Sequence, residues 1–461
     1  MSARRLPIVL AATLQAACAS VDPKPSFEAV QTTVAERTGR RPLWSRDAEE
    51  ARAAHETVVA LLKDELTVER AVQVAFLNNP SLQATFEEVG MSQADVAQAS
   101  RIENPELSGF LRWPHAGAGS NTELSLVQNV FDIFVAPLRK KVATAELEQT
   151  KLRVANEVLG LAAEVKEAYY TLQARGQLVT RLRRVLDLTQ AAFDFAEKLH
   201  AAGNLPDLEL ENQLALHRQS KVDVARAEAE VRVDRERMNR LLGLWGPLTA
   251  WSASDQLPAI PKEEIPLEGL ETLAVAQRQD LAAARWGVDL VGRALALKKK
   301  TRFFPVGIHL GINTEKDVTA ERVTGPELSL QLPIFDTGKA SIARLQAEHR
   351  RAQRQLEALA VNARSGVRES RDRMLAARDL ATYYGEVLLP QRVRILDLTL
   401  RYYNMMLKGA FDLLLAKQQA VEAEKAYVEA WRDYWLARVR LEKELGGALP
   451  SAAVPFIAEE K

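Results

Sequence analysis

A ten-residue stretch occurs twice in this chain, and it restricts the possible folds more than any other feature. "ELSLVQNVFD" runs from Glu123 to Asp132, and "ELSLQLPIFD" runs from Glu327 to Asp336. Further matching segments surround the two copies in the same order, about 200 residues apart. Since this spacing is far longer than the repeats of solenoid proteins, we predict a duplicated domain rather than a short-repeat array.

Both copies of the stretch alternate apolar and polar residues, and so does a segment before each copy. Leu124 and Leu126 alternate with polar neighbours, as do Leu328 and Leu330. A period of two predicts strands with one apolar and one polar face. We expect them at about residues 105–113, 122–131, 305–314 and 325–334, each with the ~10 residues that a tilted strand needs to cross a bilayer.

Four such strands are too few to close a barrel, and an open sheet edge is not tolerated in lipid. The chain is therefore expected to contribute its strands to a barrel that several copies share. Two copies would give about eight strands and a lumen filled by side chains. Three copies would give about twelve and leave a passage, so the strand count alone leaves the stoichiometry open.

Long helical segments follow each strand pair. Apolar residues recur every seven positions from Val158 to Phe193 and again from Val367 to Tyr402, which is typical of helices that supercoil against neighbours. Pro390 is expected to bend the second of these helices. We predict two antiparallel hairpins, with helices at about residues 139–201, 207–242, 338–407 and 411–446.

These patterns divide the chain into consecutive segments. Residues 66–244 form the first repeat and residues 265–447 the second, with a linker rich in Pro and Trp at residues 245–264. A tail at residues 448–461 and an extension at residues 18–65 complete the predicted organisation. The predicted fold class is mainly α with a small β part.

The N-terminus has the layout of a signal peptide over residues 1–17. Arg4 and Arg5 precede a short apolar stretch, and two small residues come directly before Cys18. The segment resembles a bacterial lipoprotein signal, which implies lipidation of Cys18. A plain secretory signal with an incidental cysteine is the alternative. Because Cys18 is the single cysteine, an intrachain disulfide is impossible.

Composition argues against several classes of function. Lys plus Arg and Asp plus Glu both number 61, so the chain lacks the net positive charge typical of nucleic-acid binding. The six histidines are scattered without a metal-ligand spacing, and no cofactor motif is recognisable. The sequence also lacks the motifs of a nucleophile–base pair or a phosphate-binding loop, so we do not expect an enzyme.

At this point the chain resembles the TolC-like family of outer membrane efflux proteins, in its lipoprotein branch. The resemblance covers about residues 66–447 and rests on "NNPSL" after Leu77, the strand-to-helix joins "NVFD" and "PIFDTGK", and the turns "AAGNLPDLELENQ" and "YYNMMLKGAFDLLLAKQQ". It implies a homotrimer with a twelve-stranded barrel in the outer membrane, from which an α-barrel extends into the periplasm. A periplasmic adaptor protein and an inner-membrane transporter are the implied partners, together with outer membrane lipid.

The resemblance also assigns roles to the turns at the ends of the hairpins. It implies a charged ring at the periplasmic entrance, with Asp412, Glu209 and Asp207 as candidates for selecting or gating. Acids near helix N-termini are also explained by capping and by the helix dipole. The implied adaptor-contact residues lie in the same turns: Gly203, Asn204, Met406, Lys408 and Gly409.

The predicted function is a passive exit duct of a tripartite efflux system for small toxic compounds, either drugs or metal ions. A duct of a type I protein secretion system is an alternative within the same family. A soluble periplasmic coiled-coil scaffold is a third possibility, but it leaves four strands of bilayer length unexplained.

Overall fold

The computed structural model describes residues 21–449, apart from positions 114, 116–118, 262–267, 305–306, 317–318 and 320. The predicted signal peptide, Cys18 and residues 450–461 of the predicted tail lie outside the described residues. The fold is mainly helical with one small sheet, which confirms the predicted fold class.

The chain separates into two compact units, each made from three segments. Of the described residues, the first unit contains those in 21–30, 85–154 and 279–359, and the second contains those in 31–84, 155–278 and 360–449. Eleven α-helices are described: α1 Lys24–Thr38, α2 Ala48–Lys63, α3 Val68–Asn78, α4 Pro80–Ala99, α5 Asp132–Ala201, α6 Asp207–Leu242, α7 Leu270–Gln277, α8 Gln279–Thr301, α9 Lys339–Tyr383, α10 Leu389–Asn404 and α11 Ala410–Leu445.

The first unit contains the sheet, an antiparallel meander of four strands in the order in which they occur along the chain. The strands are β1 Glu106–Arg112, β2 Asn121–Asn129, β3 Ile308–Lys316 and β4 Arg322–Leu330. The first repeat contributes β1 and β2, and the second repeat contributes β3 and β4. The duplication therefore appears as two hairpins joined edge to edge.

The register places the leucine and isoleucine side chains of the described strands on one face of the sheet. Leu126 lies opposite both Leu107 in β1 and Ile312 in β3. Leu328 lies opposite Leu310. Because side chains alternate along a strand, these residues share one apolar face, on which all five are more than a third exposed.

The strand ends differ from the predicted ones. Strand β4 begins at Arg322 and ends at Leu330, whereas the sequence pattern predicted about residues 325–334. Strand β3 is shifted in the opposite sense and covers Ile308–Lys316, whereas about residues 305–314 were predicted. The alternation reports which residues can form a strand, but ladder hydrogen bonds to a neighbour decide where a strand ends.

Helix α5 begins at Asp132, seven residues before its predicted start at about residue 139. Pro137 lies inside the helix. Pro137 is the sixth residue of the helix, so its missing N–H removes one hydrogen bond of the helical ladder, to the Ile133 carbonyl. The helix continues through Pro137 without that bond.

The predicted helix at residues 338–407 is interrupted. Helix α9 ends at Tyr383, a π-helical turn covers Tyr384–Leu388, and α10 begins at Leu389 with Pro390 in its first turn. Pro390 lacks the N–H that would continue the α-helical ladder, and the wider π turn accommodates this loss. The disturbance expected at Pro390 thus lies mainly in the turn before it.

The extension at residues 18–65 contains regular structure, although its sequence showed only weak patterning. Helices α1 and α2 lie within it, and Val34 and Val58 are completely buried. In α2, Asp47 caps the N-terminus by accepting hydrogen bonds from two backbone N–H groups. The extension is therefore packed against the rest of the chain.

Both repeats end in the same way within the second unit. Gly243 follows α6 with a φ of 66°, and Gly446 follows α11 with a φ of 78°. The first glycine approaches the backbone of Asn78, and the second approaches that of Arg278. Asn78 also donates hydrogen bonds to the carbonyls of Leu242 and Gly243, at 3.0 and 2.7 Å. The left-handed conformation closes each helix, and the missing Cβ permits the close approach.

The linker at residues 245–264 is held in place over its described part, which ends at residue 261. Trp431 and Trp435 of α11 both donate their indole N–H to the carbonyl of Pro258, at 2.8 and 2.9 Å. Trp251 donates to Asn239 at 2.8 Å, and the guanidinium of Arg235 lies over its ring. The linker is thus an ordered part of the second unit.

A hydrophobic cluster in the second unit joins helices α7, α9 and α11. Its most buried members are Ala274, Met374, Tyr434 and Leu441, none of which exposes more than 1% of its surface. Within the described residues, no helix combines the length and the apolar character that crossing a membrane requires.

Candidate functional site

The polar face of the sheet carries a group of carboxylates. Glu106, Glu123, Glu315 and Glu327 all project from this face, as the strand register shows. We call these four residues the acidic face. Arg112 is on the same side of β1, so the described strand residues give this side four carboxylates and one guanidinium.

Hydrogen bonds across the strands fix the acidic face. Asn313 donates to Glu123 at 2.7 Å, and Asn121 donates to Glu315 at 2.6 Å. The hydroxyl of Ser125 donates to Glu327. Gly311 separates Ser125 from Glu327 in the sheet, and the absence of a side chain there lets the two residues meet.

The arrangement can attract cations. Excess negative charge on one polar surface raises the local concentration of cations. No group of three or more His, Cys, Asp or Glu residues in the described part of the chain has the geometry of a metal site.

An ion pair with a buried carboxylate anchors the first strand-to-helix join. Asp132 is 3% exposed and receives two hydrogen bonds from Arg139, at 2.8 and 2.9 Å, and one from the Glu103 N–H at 2.9 Å. Burial acts to raise the pKa of Asp132, but the hydrogen bonds from Arg139 and Glu103 outweigh it and lower this pKa below its usual value. The bidentate contact orients the start of α5.

The second join uses the corresponding aspartate differently. Asp336 is exposed and accepts a hydrogen bond from the Gly338 N–H at 2.8 Å, which closes a local turn. The adjacent Phe335 is fully exposed, whereas its counterpart Phe131 packs against Phe304 with ring centroids 5.3 Å apart. The two copies of the repeated stretch therefore have the same sequence signature but different surroundings.

The turn between α5 and α6 contains four of the predicted site residues. Gly203 has a φ of 74° and Asn204 follows it in the turn, where the Asn204 N–H donates to the Leu199 carbonyl at 2.9 Å. Asp207 is 93% exposed and lies 3.4 Å from the imidazole of His200. The turn is closed by backbone geometry and leaves the Asp207 carboxylate in solvent.

Glu209, the fourth predicted residue of this turn, lies in a different environment. It lines a cavity of about 200 Å³ together with Tyr403, Asn404 and Lys417. Burial lowers the pKa of the Lys417 ammonium. The structure thus brings Glu209 to a cavity that residues of both hairpins line, whereas Asp207 remains outside it.

The turn between α10 and α11 contains the other predicted residues. Met406 is 94% exposed and has a φ of 59°. Asp412 accepts a hydrogen bond from the Gly409 N–H at 3.2 Å, and the Lys408 ammonium lies 3.4 Å from its other oxygen. Asp412 therefore acts as a helix cap, which is the structural explanation considered above for acids at these turns.

Sequence inspection missed the acidic face and Lys417. The four glutamates were visible as polar positions of alternating strands, and counting their charges by face would have found the excess. Lys417 carries no comparable signal, because its burial depends on helices that are far apart in sequence.

Comparisons with known proteins agree with this architecture. Residues 71–244 match the model of the family described as outer membrane efflux protein. The chain is 21% identical over 387 residues to the cobalt-zinc-cadmium resistance protein CzcC of Cupriavidus metallidurans, covering 83% of this chain and 90% of that protein.

Solved structures show the same fold. The outer membrane protein VceC of Vibrio cholerae superimposes with a TM-score of 0.70 at 15% identity, covering 83% of this chain and 96% of that one. CusC superimposes with a TM-score of 0.72 at 17% identity, covering 83% and 92%.

Proposed function

We propose that this chain, of which residues 71–244 match the outer membrane efflux protein family, belongs to that family and is the outer-membrane channel of a tripartite efflux system. The observation that carries the proposal is the four-stranded sheet with one apolar and one polar face. An apolar face suits lipid and a polar face suits a water-filled passage. Such a channel is passive, so the energy for transport comes from a partner.

The same sheet supports a barrel that several copies share. Four strands do not close a barrel, and three copies supply about twelve strands, enough for an open passage. We therefore propose a homotrimer in the outer membrane, with lipidation of Cys18 as a second attachment. A periplasmic adaptor and an inner-membrane transporter are the proposed partners, and the exposed turn residues Gly203, Asn204, Met406, Lys408 and Gly409 are the proposed adaptor contacts.

We propose small cations, such as toxic metal ions, as the cargo. The acidic face supports this choice, because fixed carboxylates favour cations over anions along a passage. The similarity to a cobalt-zinc-cadmium resistance protein points to the same cargo class. Asp412, Glu209 and Asp207 are proposed to add negative charge at the periplasmic entrance.

Two measurements on the full chain, purified from outer membranes in mild detergent, test the proposal. Native mass measurement should give a trimer, and planar bilayers should show channels that prefer cations. Glu123→Gln with Glu315→Gln should shift the reversal potential in a salt gradient towards zero. A matched control is Glu56→Gln, which removes an exposed charge from α2. A monomer without conductance would refute the proposed function, and unchanged selectivity would refute the role of the acidic face.

A further inference from the structure

The sheet has two outer strands, and each of them pairs on one side only. Within the described residues, β1 pairs with β2 and β4 pairs with β3. We propose that β4 of one copy pairs antiparallel with β1 of a second copy, with Ser329 opposite Arg112 and an ion pair between Glu327 and that Arg112. This inference rests on the proposed function, which requires a shared barrel, and it specifies the contact that closes it.

The repeated stretch defines which positions of the two hairpins correspond. Leu126 of β2 and Leu330 of β4 both end the letters "ELSL". Leu126 lies opposite Leu107, and Leu330 lies opposite Ile308. Leu107 of β1 therefore corresponds to Ile308 of β3.

The junction between the two hairpins then serves as a template for the junction between two copies. In that junction Ser125 of β2 lies opposite Asn313 of β3. Ser125 corresponds to Ser329, because both follow Glu-Leu in the repeated stretch. Asn313 corresponds to Arg112, because Asn313 lies five residues after Ile308 and Arg112 lies five residues after Leu107. Ser329 is therefore expected opposite Arg112 of a second copy.

The same register satisfies the two faces of the sheet. It places Leu330 opposite Leu111, so that apolar side chains meet on the apolar face. A slip by one residue would bring Leu330 opposite Arg112 and exchange the faces of one strand. Burial of one face in lipid makes such a slip costly, which favours the register derived from the duplication.

Charge complementarity supports the pairing. In the junction within the chain, Asn313 donates to Glu123 at 2.7 Å. The corresponding residues between copies are Arg112 and Glu327, so an arginine–glutamate ion pair would replace the asparagine–glutamate hydrogen bond. Arg112 lies 3.9 Å from Glu123 of its own chain and keeps 63% of its side chain exposed. A guanidinium has five N–H donors and can serve a second carboxylate.

The pairing also accounts for the early end of β4. In β2, the three residues after Leu126 are paired with Gly311, Leu310 and His309 of β3. The corresponding residues 331–333 follow the end of β4, and Leu332 among them is 64% exposed. Pairing with residues 108–110 of a second copy would extend β4 to residue 333, close to the strand end at about residue 334 that the alternation predicts.

Disulfide cross-linking tests the register directly. The Val130 N–H donates to the Ile308 carbonyl at 2.9 Å, so these two residues form a hydrogen-bonded pair. Hydrogen-bonded and non-hydrogen-bonded pairs alternate along an antiparallel ladder, so Ser125 and Asn313, five residues along, form a non-hydrogen-bonded pair. By correspondence, Ser329 and Arg112 form a non-hydrogen-bonded pair with Cα atoms about 4.5 Å apart, within disulfide range. Ser329→Cys with Arg112→Cys should therefore give a covalent trimer on mild oxidation, seen on a denaturing gel.

Control variants identify other registers. Each single cysteine variant reports unintended bonds, including any to Cys18, and should remain uncross-linked. Ser329→Cys with Phe110→Cys places the cysteines diagonally, about 7–8 Å apart, and should cross-link at least tenfold more slowly. Faster cross-linking of this second pair would overturn the register.

Native mass measurement on the same samples separates the two levels of the hypothesis. A trimer that fails to cross-link through Ser329→Cys and Arg112→Cys overturns this inference and leaves the proposed function intact. A monomer overturns both.

For the ion pair, Glu327→Arg should accelerate dissociation of the trimer in SDS about tenfold, and adding Arg112→Glu should reverse most of that effect. A double variant as unstable as Glu327→Arg would remove the ion pair from the interface.

Discussion

The close approach of Gly243 to Asn78 gives a quantitative prediction for Gly243→Ala. The glycine has a φ of 66°, where an L-residue costs about 1–2 kcal/mol. A Cβ built there meets the Asn78 carbonyl oxygen and lies 3.0 Å from the Asn78 carbonyl carbon and the Pro80 ring. Such overpacking costs about 1–3 kcal/mol, so we expect a total destabilisation of about 2–5 kcal/mol.

The neighbours of this glycine have little freedom to move away. Asn78 donates to Leu242 and Gly243 carbonyls, and Asn79 donates to the Leu241 carbonyl at 2.8 Å. Movement of the α3–α4 junction would break these bonds. We therefore expect the clash to be expressed in stability rather than relieved.

The assay is unfolding of the full chain by guanidinium chloride in detergent, followed by far-ultraviolet circular dichroism, with the slope of the transition unchanged. Gly39→Ala is the matched control, because Gly39 has a φ of 68° and nothing within 4 Å of an added Cβ. Gly39→Ala should be destabilised by the backbone strain alone, which is about 1–2 kcal/mol. Gly446→Ala, with a Cβ 3.0 Å from Arg278 Cα, should fall between the two. Equal midpoints for Gly39→Ala and Gly243→Ala would refute the reasoning.

Three further predictions concern charged groups. Asp132→Asn should cost about 1.5–3 kcal/mol. Because the folded-state pKa of Asp132 is lowered, its contribution to the stability of the fold is present above about pH 4 and is lost as pH falls through the folded pKa. The Asp132→Asn variant should therefore lose this acid dependence. As a control, Asp336→Asn at the exposed second join should change stability little. Lys417→Met should stabilise the chain at neutral pH, since burial lowers the pKa of the ammonium. The wild type should gain stability as pH rises towards 10.5, and a variant with the same pH slope would contradict this account. Asp412→Asn should reduce cation preference in single-channel recordings, and unchanged selectivity would leave Asp412 as a helix cap alone.

The sequence was most informative where the pattern is local. Alternation of two places residues such as Leu124 and Leu126 on one face of a strand, whatever lies next to it. The hairpin turns near Gly203 and Gly409 were also located from sequence, because turn residues interrupt long periodic segments.

The sequence was less informative where a structure depends on distant partners. Weak patterning in residues 18–65 gave no indication of helices α1 and α2, because the burial of Val34 and Val58 depends on packing with other helices. The predicted start of α5 was seven residues late, since the pattern alone does not show that the helix continues through Pro137. The surroundings of Asp132 and Asp336 differ although their motifs match, so each environment required the structure.

The amino-acid sequence by itself determined the duplication, the four strands and the helical hairpins, because periodicity and repetition are properties of the chain. Only the tertiary structure decided which glutamates are hydrogen-bonded across strands and which of the predicted acids line a cavity. Those relations depend on strand register and helix packing, which bring together residues about 200 positions apart. The two copies of the repeated stretch begin as equal sequences and become different sites through their neighbours.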